Sequence, residues 1–252
     1  MIPLRDNIPT RGRPVVVKGL ILINFVAFGI QLIAGERFTR FFGLKPEYLS
    51  AWWHDAVLIV ERQIDGPGGQ VVHAVEQLAP GFMEGAFPLI SSQFLHADLF
   101  HLLSNMLFLW IFADNVEGEL GSKRFLFFYL LCGILAALTH VALTGSTGSV
   151  LIGASGAIAG SLGAYFVMFP RAKVLTLFPI GFIPLFFEIP AIYFLGLWFA
   201  LQIISGLIGT GGMVAVWAHA GGFLAGVILV GVIPRARRRK PRPRYASFER
   251  IR

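Results

Sequence analysis

Six stretches of this chain stay apolar for close to twenty residues at a time, and that pattern restricts the fold more than any motif. They run over residues 15–34, 94–113, 125–143, 150–169, 185–207 and 213–233. About twenty apolar residues are what a helix needs to cross the hydrocarbon core of a bilayer. In lipid each backbone N–H and C=O must be satisfied within the segment, so helices are the economical solution. Composition agrees: 56% of the residues are apolar and 14% charged, against roughly 45–50% and 25% in soluble domains. The expected fold is an all-α membrane protein, a bundle of six transmembrane helices. The second and fifth stretches fit least well. His96, Asp98 and His101 interrupt one, and Glu188 and Pro190 the other.

The basic residues set the expected topology. Arg5, Arg11, Arg13 and Lys18 precede or open the first span, Lys123 and Arg124 follow the second, and Arg171 and Lys173 follow the fourth. The alternate loops, TGSTGS and GTGG, carry none. Six crossings with both termini cytoplasmic satisfy the positive-inside rule at every short loop. The expected organisation is therefore a cytoplasmic segment 1–14, a six-span domain 15–233 with a long external loop 35–92, and a basic cytoplasmic tail 234–252. The loop's aromatics, Trp52 and Trp53 among them, suit the membrane interface. Much of the net charge of +7 lies in the run RARRRKPRPR directly after the last span. That placement marks a topological anchor or a contact with anionic lipid rather than nucleic acid. The polar opening MIPLRDNIPTRGRP does not read as a cleavable signal peptide. Cys132 is the single cysteine, so no internal disulfide is possible. His54 and His73 show no ligand spacing, and neither a metal nor a cofactor is expected. No feature specifies an oligomeric state.

Polar side chains inside membrane spans are expensive, so each is by default a functional candidate. The second span carries His96, His101 and Asn105 in FLHADLFHLLSNM, the fourth Ser155 in GASG, and the sixth His219 in AHAGG. His101 and Asn105 stand four apart and share a helix face. Ser155 taken alone reads as a packing residue, or as a hydroxyl bonded to its own helix. The same two spans carry Gly156 and Gly160, and Gly222 and Gly226, the spacing that lets helix backbones touch. If those faces meet, Ser155 and His219 come within hydrogen-bond reach, the geometry in which a base activates a hydroxyl. Among the remaining polar residues, Glu117 reads as a cap or an ion-pair partner. Glu188 reads as a helix-end residue, and His140 as interfacial at the outer end of the third span.

HADLFHLLSN, GASG and AHAGG, in that order on the second, fourth and sixth spans, resemble the rhomboid intramembrane serine proteases of bacterial, six-span type. The opening MIPLRDNIPT is similar to many bacterial members. The resemblance implies Ser155 as nucleophile and His219 as general base, with Gly153, Ser155, His101 and Asn105 surrounding the oxyanion. His96 would support the site from the oxyanion side or through water, or cap the interface. GASG is not the strand-borne G-x-S-x-G elbow of hydrolases. No carboxylate stands near His219 in sequence, so a Ser–His dyad is implied instead of a triad. Some members place an aromatic residue one turn after the serine, stacked on the histidine; here that residue is Ala159. The base must be oriented otherwise, for instance by an aromatic from another span. A Trp-Arg pair found in the first loop of some members is also lacking. The implied substrates are single-span membrane proteins with helix-weakening residues near the cut, and the implied location is the cell (inner) membrane. Two other classes compete. One is a catalytically inactive rhomboid-like protein that binds membrane helices, though such relatives typically lack the serine or the histidine. The other is a small transporter, which calls for internal repeats or membrane carboxylates.

Overall fold

The computed structural model of the chain describes residues 1–65, 71–145, 149–181, 183–209 and 215–236. The tips of the loops containing IDGPGGQ, TGSTGS and GTGG, the first residues expected in the sixth span, and most of the basic tail lie outside the described residues. The architecture is a helical membrane bundle, led by a strand β1 (Ile2–Asp6) and a helix α1 (Val15–Ala34). Helices α2 (Glu36–Phe42) and α3 (Pro46–Trp53) and a hairpin, β2 (Leu58–Asp65) with β3 (Val71–Leu78), build the long first loop. Then come α4 (Leu99–Leu120) and α5 (Ser122–Thr144). Helix α6 (Ser155–Met168), strands β4 (Lys173–Ile180) and β5 (Ile183–Pro190), and helices α7 (Ala191–Leu207) and α8 (Val216–Val232) follow, and short helical turns over 82–94 lead from β3 into α4.

Helices α1, α4 and α5 are long and apolar enough to cross a membrane; α6, α7 and α8 are shorter apolar helices of 14, 17 and 17 residues. The outward side of α1 shows why lipid is the fitting solvent. Leu22, Ile23, Phe25, Val26, Leu32 and Ile33 are all exposed, a continuous apolar surface that water would penalise. Its inward side buries Val17, Leu20, Asn24 and Gln31. The N-terminus of α1 is closed from a distance. Glu117 accepts from the backbone N–H of Val16 at 3.0 Å and of Val17 at 2.8 Å, and takes the Ser122 hydroxyl at 2.6 Å. Helix N-termini leave such N–H groups without intrahelical partners, so Glu117 is a cap, as its sequence context suggested.

The centre of the bundle is α6. Gly156 to Tyr165 are buried without interruption, as befits a helix with neighbours on all sides. Its glycines set the spacing to α8. A Cβ on Gly222 would run into the Gly156 carbonyl oxygen, one on Gly226 into the Gly160 carbonyl, and one on Gly163 into that of Phe223. Helix α5 closes the other flank with Ala136 against Gly156 and Cys132 against Gly160.

The helical bundle is as expected, but several element boundaries change and strands accompany the helices. β4 pairs antiparallel with both β1 and β5 in a sheet of order β1-β4-β5. Alternate burial of Val174 and Thr176, both fully enclosed, is the period of a strand. The fifth span begins later than residue 185, because Pro184 and Pro190 cannot donate within a helix; α7 starts directly after Pro190. Glu188 lies on β5, not at a helix end, and pairs with Lys173 at 2.9 Å. The second helix starts at Leu99 instead of residue 94, because Asp98 caps it by accepting from the His101 N–H at 2.7 Å. It continues through a π-helical Leu109–Ala113 to Leu120. The fourth helix starts at Ser155, not at 150. Leu151 is instead held extended by a reciprocal bridge to Leu44, at 2.7 and 3.0 Å.

The sheet gathers the N-terminal strand and the segment between α6 and α7 at one end of the bundle. Arg11 pairs with Glu119 at 3.0 Å, and the Ala236 N–H donates to the Glu119 carbonyl at 2.8 Å. The chain therefore enters and leaves the bundle at the same end.

Candidate active site

Ser155 opens α6. The chain reaches it through Gly153, whose φ of +127° is a backbone conformation that residues with a Cβ rarely adopt. Two things follow from this local geometry. The Ser155 N–H, first in its helix, has no intrahelical acceptor. Its hydroxyl points across to α8, where the His219 Nε2 lies 2.8 Å away. Both side chains are partly buried. The contact depends on the glycine-lined approach of α6 to α8, since Ser155 and His219 flank that seam.

The other nitrogen of His219 is also engaged. Nδ1 lies 2.9 Å from Oε1 of Gln202 on α7. One turn earlier on the same face, the Trp198 ring lies 5.8 Å from the imidazole, inclined by 33°. The imidazole is thus held from three directions: hydroxyl in front, amide behind, indole on its face. No carboxylate is paired with it among the described residues.

Helix α4 supplies the remaining groups. His101 and Asn105 lie on one face, as their spacing requires. The Nε2 edge of His101 faces Gly153, close enough that a Cβ there would sit 3.1 Å from Nε2 and 3.6 Å from the Ser155 hydroxyl oxygen. The Ala97 N–H approaches Nδ1 of His101 in a long contact of 3.5 Å. Accepting from that N–H would leave a neutral ring with its proton on Nε2, the edge facing the serine. Asn105 is buried, and its Nδ2 has no hydrogen-bond partner among the described residues. Gly153 flanks this space through its backbone, but its own N–H donates to the Ser92 carbonyl at 2.9 Å. That N–H is therefore already engaged, and Gly153 borders the space with its backbone. His96 is 2% exposed and sets its ring edge-on to His101, 5.1 Å between centroids. Both His96 ring nitrogens are buried without partners among the described residues.

Gln31 of α1 fixes the backbone beneath this cluster. It accepts from the His96 N–H at 2.9 Å and donates to the His96 carbonyl at 3.2 Å. Gln31, Trp198 and Gln202 are contacts the sequence reading did not single out. For the two glutamines the signal was present: each is an uncharged amide inside an otherwise apolar run. The described residues include no group of three or more His, Cys, Asp or Glu side chains able to hold a metal ion.

In chemical terms, a hydroxyl is bonded to an imidazole whose far nitrogen is already occupied. Beside it lie a buried amide N–H₂, a ring nitrogen edge and the first N–H of a helix, which has no intrahelical acceptor. Comparison with known proteins identifies the family. A family model described as the Rhomboid domain matches residues 84–236. The mitochondrial presenilin-associated rhomboid-like protein of Bos taurus is 31% identical over 148 residues, 56% of this chain and 36% of that protein. The mitochondrial Rhomboid protein 1 of Saccharomyces cerevisiae is 32% identical over 112 residues, 41% of this chain and 31% of that one. The chain spans about a third of the length of these curated relatives.

Proposed function

The chain belongs to the rhomboid family, and on that footing we propose that it is an intramembrane serine endopeptidase working through a Ser155–His219 dyad. The observation that carries this reading is the 2.8 Å contact between the Ser155 hydroxyl and the His219 Nε2. His219 takes the hydroxyl proton as the Ser155 oxygen attacks the carbonyl carbon of the scissile peptide. The tetrahedral intermediate carries its negative charge on the former carbonyl oxygen. The Asn105 amide, the His101 ring N–H and the Ser155 backbone N–H are the donors to meet it. Each such donor is worth about 2.7–4 kcal/mol where it has been removed by mutation. The imidazolium then protonates the departing amine, the C–N bond breaks, and an acyl-serine remains. Water, deprotonated by His219, releases the acid and restores the serine.

The substrates are transmembrane or juxtamembrane segments of single-span proteins. A helix shields its carbonyls by hydrogen bonding, so residues that weaken a helix near the cut favour attack. The reaction calls for no cofactor. The protein is placed in the cell (inner) membrane with both termini cytoplasmic, on the strength of the basic loops and of the shared end at which the chain enters and leaves. The domain proper is taken as 15–233, flanked by the segment 1–14 and the tail 234–252. A rhomboid-like protein without activity is the competing reading, and the Ser155–His219 contact weighs against it.

The test is cleavage of a fluorescent single-span substrate by the purified protein, together with fluorophosphonate labelling. Ser155→Ala and His219→Ala are each expected to lower the rate about 10⁴-fold or more, and Ser155→Ala to abolish labelling. Cleavage retained in either variant removes the dyad.

A further inference from the structure

The family resemblance leaves open how His219 is held, since Ala159 stands where other members carry an aromatic. In this chain two residues of α7 meet that need. Trp198 and Gln202 are four apart, so both project from one face of the helix. One covers the imidazole ring at 5.8 Å, and the other places an oxygen 2.9 Å from Nδ1.

A neutral imidazole bears one proton, on either nitrogen, and only one arrangement is productive. If Nε2 holds the proton, it donates to the serine oxygen and cannot remove a proton from it. If Nδ1 holds it, the Nε2 lone pair faces the serine hydroxyl. An acceptor opposite Nδ1 therefore selects the competent base. A glutamine side chain ends in an oxygen and an N–H₂ group, and here the oxygen is the end turned to the ring. We propose that Gln202 is a positioning residue of this site, its amide oxygen holding the His219 proton on Nδ1 so that Nε2 meets Ser155 as an acceptor. The inference rests on the reading of Ser155 and His219 as nucleophile and base. It adds to the dyad a third member, from α7, which does without charge the orienting work that a carboxylate does in triads.

The neutrality has a consequence. A carboxylate would also stabilise the imidazolium formed in the reaction, whereas an amide offers only its dipole. Among the described residues, the other titratable groups acting on the His219 ring are His101 on α4 and His140 on α5, neither of them an anion. Exchanging amide for carboxylate therefore changes the electrostatics of the ring without changing the size of the side chain.

The experiment compares wild type, Gln202→Leu and Gln202→Glu in detergent or proteoliposomes. It follows kcat, KM and the rate of fluorophosphonate labelling from pH 5 to 9. Gln202→Leu keeps the bulk and loses the acceptor. It is expected to lower kcat and the labelling rate about tenfold, with KM unchanged, the effect of one neutral hydrogen bond. Gln202→Glu restores the acceptor and is expected to recover most of that rate at high pH. The acidic limb of its kcat/KM profile moves up by about one pH unit, because a nearby anion favours the protonated ring. Wild-type rates in Gln202→Leu overturn the proposal, as do equal losses in both variants with an unshifted profile, the signature of packing alone. Should Gln202→Leu prove unstable by thermal melting, the Gln202→Glu profile decides by itself. Failure of the underlying reading looks different: a wild type that neither cleaves nor labels removes the dyad, and this proposal with it.

Discussion

Asn105 keeps its amide nitrogen buried with no partner among the described residues, a condition that costs about 1–3 kcal/mol in a folded protein. Such a group is useful where an acceptor arrives only during reaction. Asn105→Ala is accordingly expected to lower kcat about 10²-fold while leaving KM nearly unchanged, the mark of an interaction made in the transition state. Steady-state kinetics on a single-span substrate measures this. A rise in KM at constant kcat would instead assign Asn105 to ground-state binding. The sequence exposed Asn105, His101, Ser155 and His219 because each is a polar intrusion into an apolar run. Gln31 and Gln202 are intrusions of the same kind, yet nothing in their neighbourhood says what they face. A lone glutamine in a helix can bond to its own backbone, to a neighbouring helix or to water. Only the assembled bundle shows Gln31 gripping the His96 backbone and Gln202 behind His219.

At the scale of elements the site is a product of two helices touching. The α6–α8 seam works because Gly156, Gly160 and Gly163 meet Gly222, Phe223 and Gly226 without side chains between the backbones. A methyl group at Gly226 has no room beside the Gly160 carbonyl. Gly226→Ala is expected to push the helices apart, destabilise the protein by about 1–3 kcal/mol and reduce cleavage more than its stability loss explains. Gly231 lies on the same helix, and a methyl group there would meet nothing within 4 Å. Gly231→Ala should leave stability within about 1 kcal/mol of wild type and cleavage unchanged. Thermal melts and cleavage assays of the two variants, read side by side, check the contrast. This seam was legible, since glycines four apart on two spans announce close approach. The helix starts were not. Hydropathy sees 150–154 and 185–190 as apolar, but it does not register a bridge from Leu151 to Leu44 or the strand pairing of β5 with β4. Those are long-range hydrogen bonds, and they take the first residues of two expected helices into extended structure.

On the scale of the whole molecule, the end where the chain enters and leaves is fastened by a polar cluster that reaches into α6. Asp6, at the end of β1, accepts from the Tyr165 hydroxyl on α6 and from the Asn115 amide of α4 at 2.9 Å. The clasp thus joins the N-terminal strand to the helix that starts with Ser155. Burial pushes the Asp6 carboxyl up to about 7 from its ordinary 3.8; the Tyr165 hydrogen bond opposes the rise, and the nearby Asp114 adds to it. The sign of the linkage follows. Between about pH 4 and pH 7 the folded chain keeps a proton that the unfolded chain has already released, so raising the pH favours unfolding. The stabilisation from this group is complete below pH 4, declines towards pH 7 and is absent above it. Asp6→Asn removes the titration while keeping an acceptor oxygen for Tyr165. The stability difference between variant and wild type is therefore expected to move in the variant's favour by roughly 2 kcal/mol from pH 4.5 to pH 8. Melting temperatures in one detergent across that range provide the measurement, and parallel curves would show that the clasp does not titrate. Because Tyr165 and Ser155 share one helix, a loosened clasp also has a route to the site. Cleavage at pH 8 relative to pH 6 should be higher in Asp6→Asn than in wild type, once both are corrected for the fraction folded.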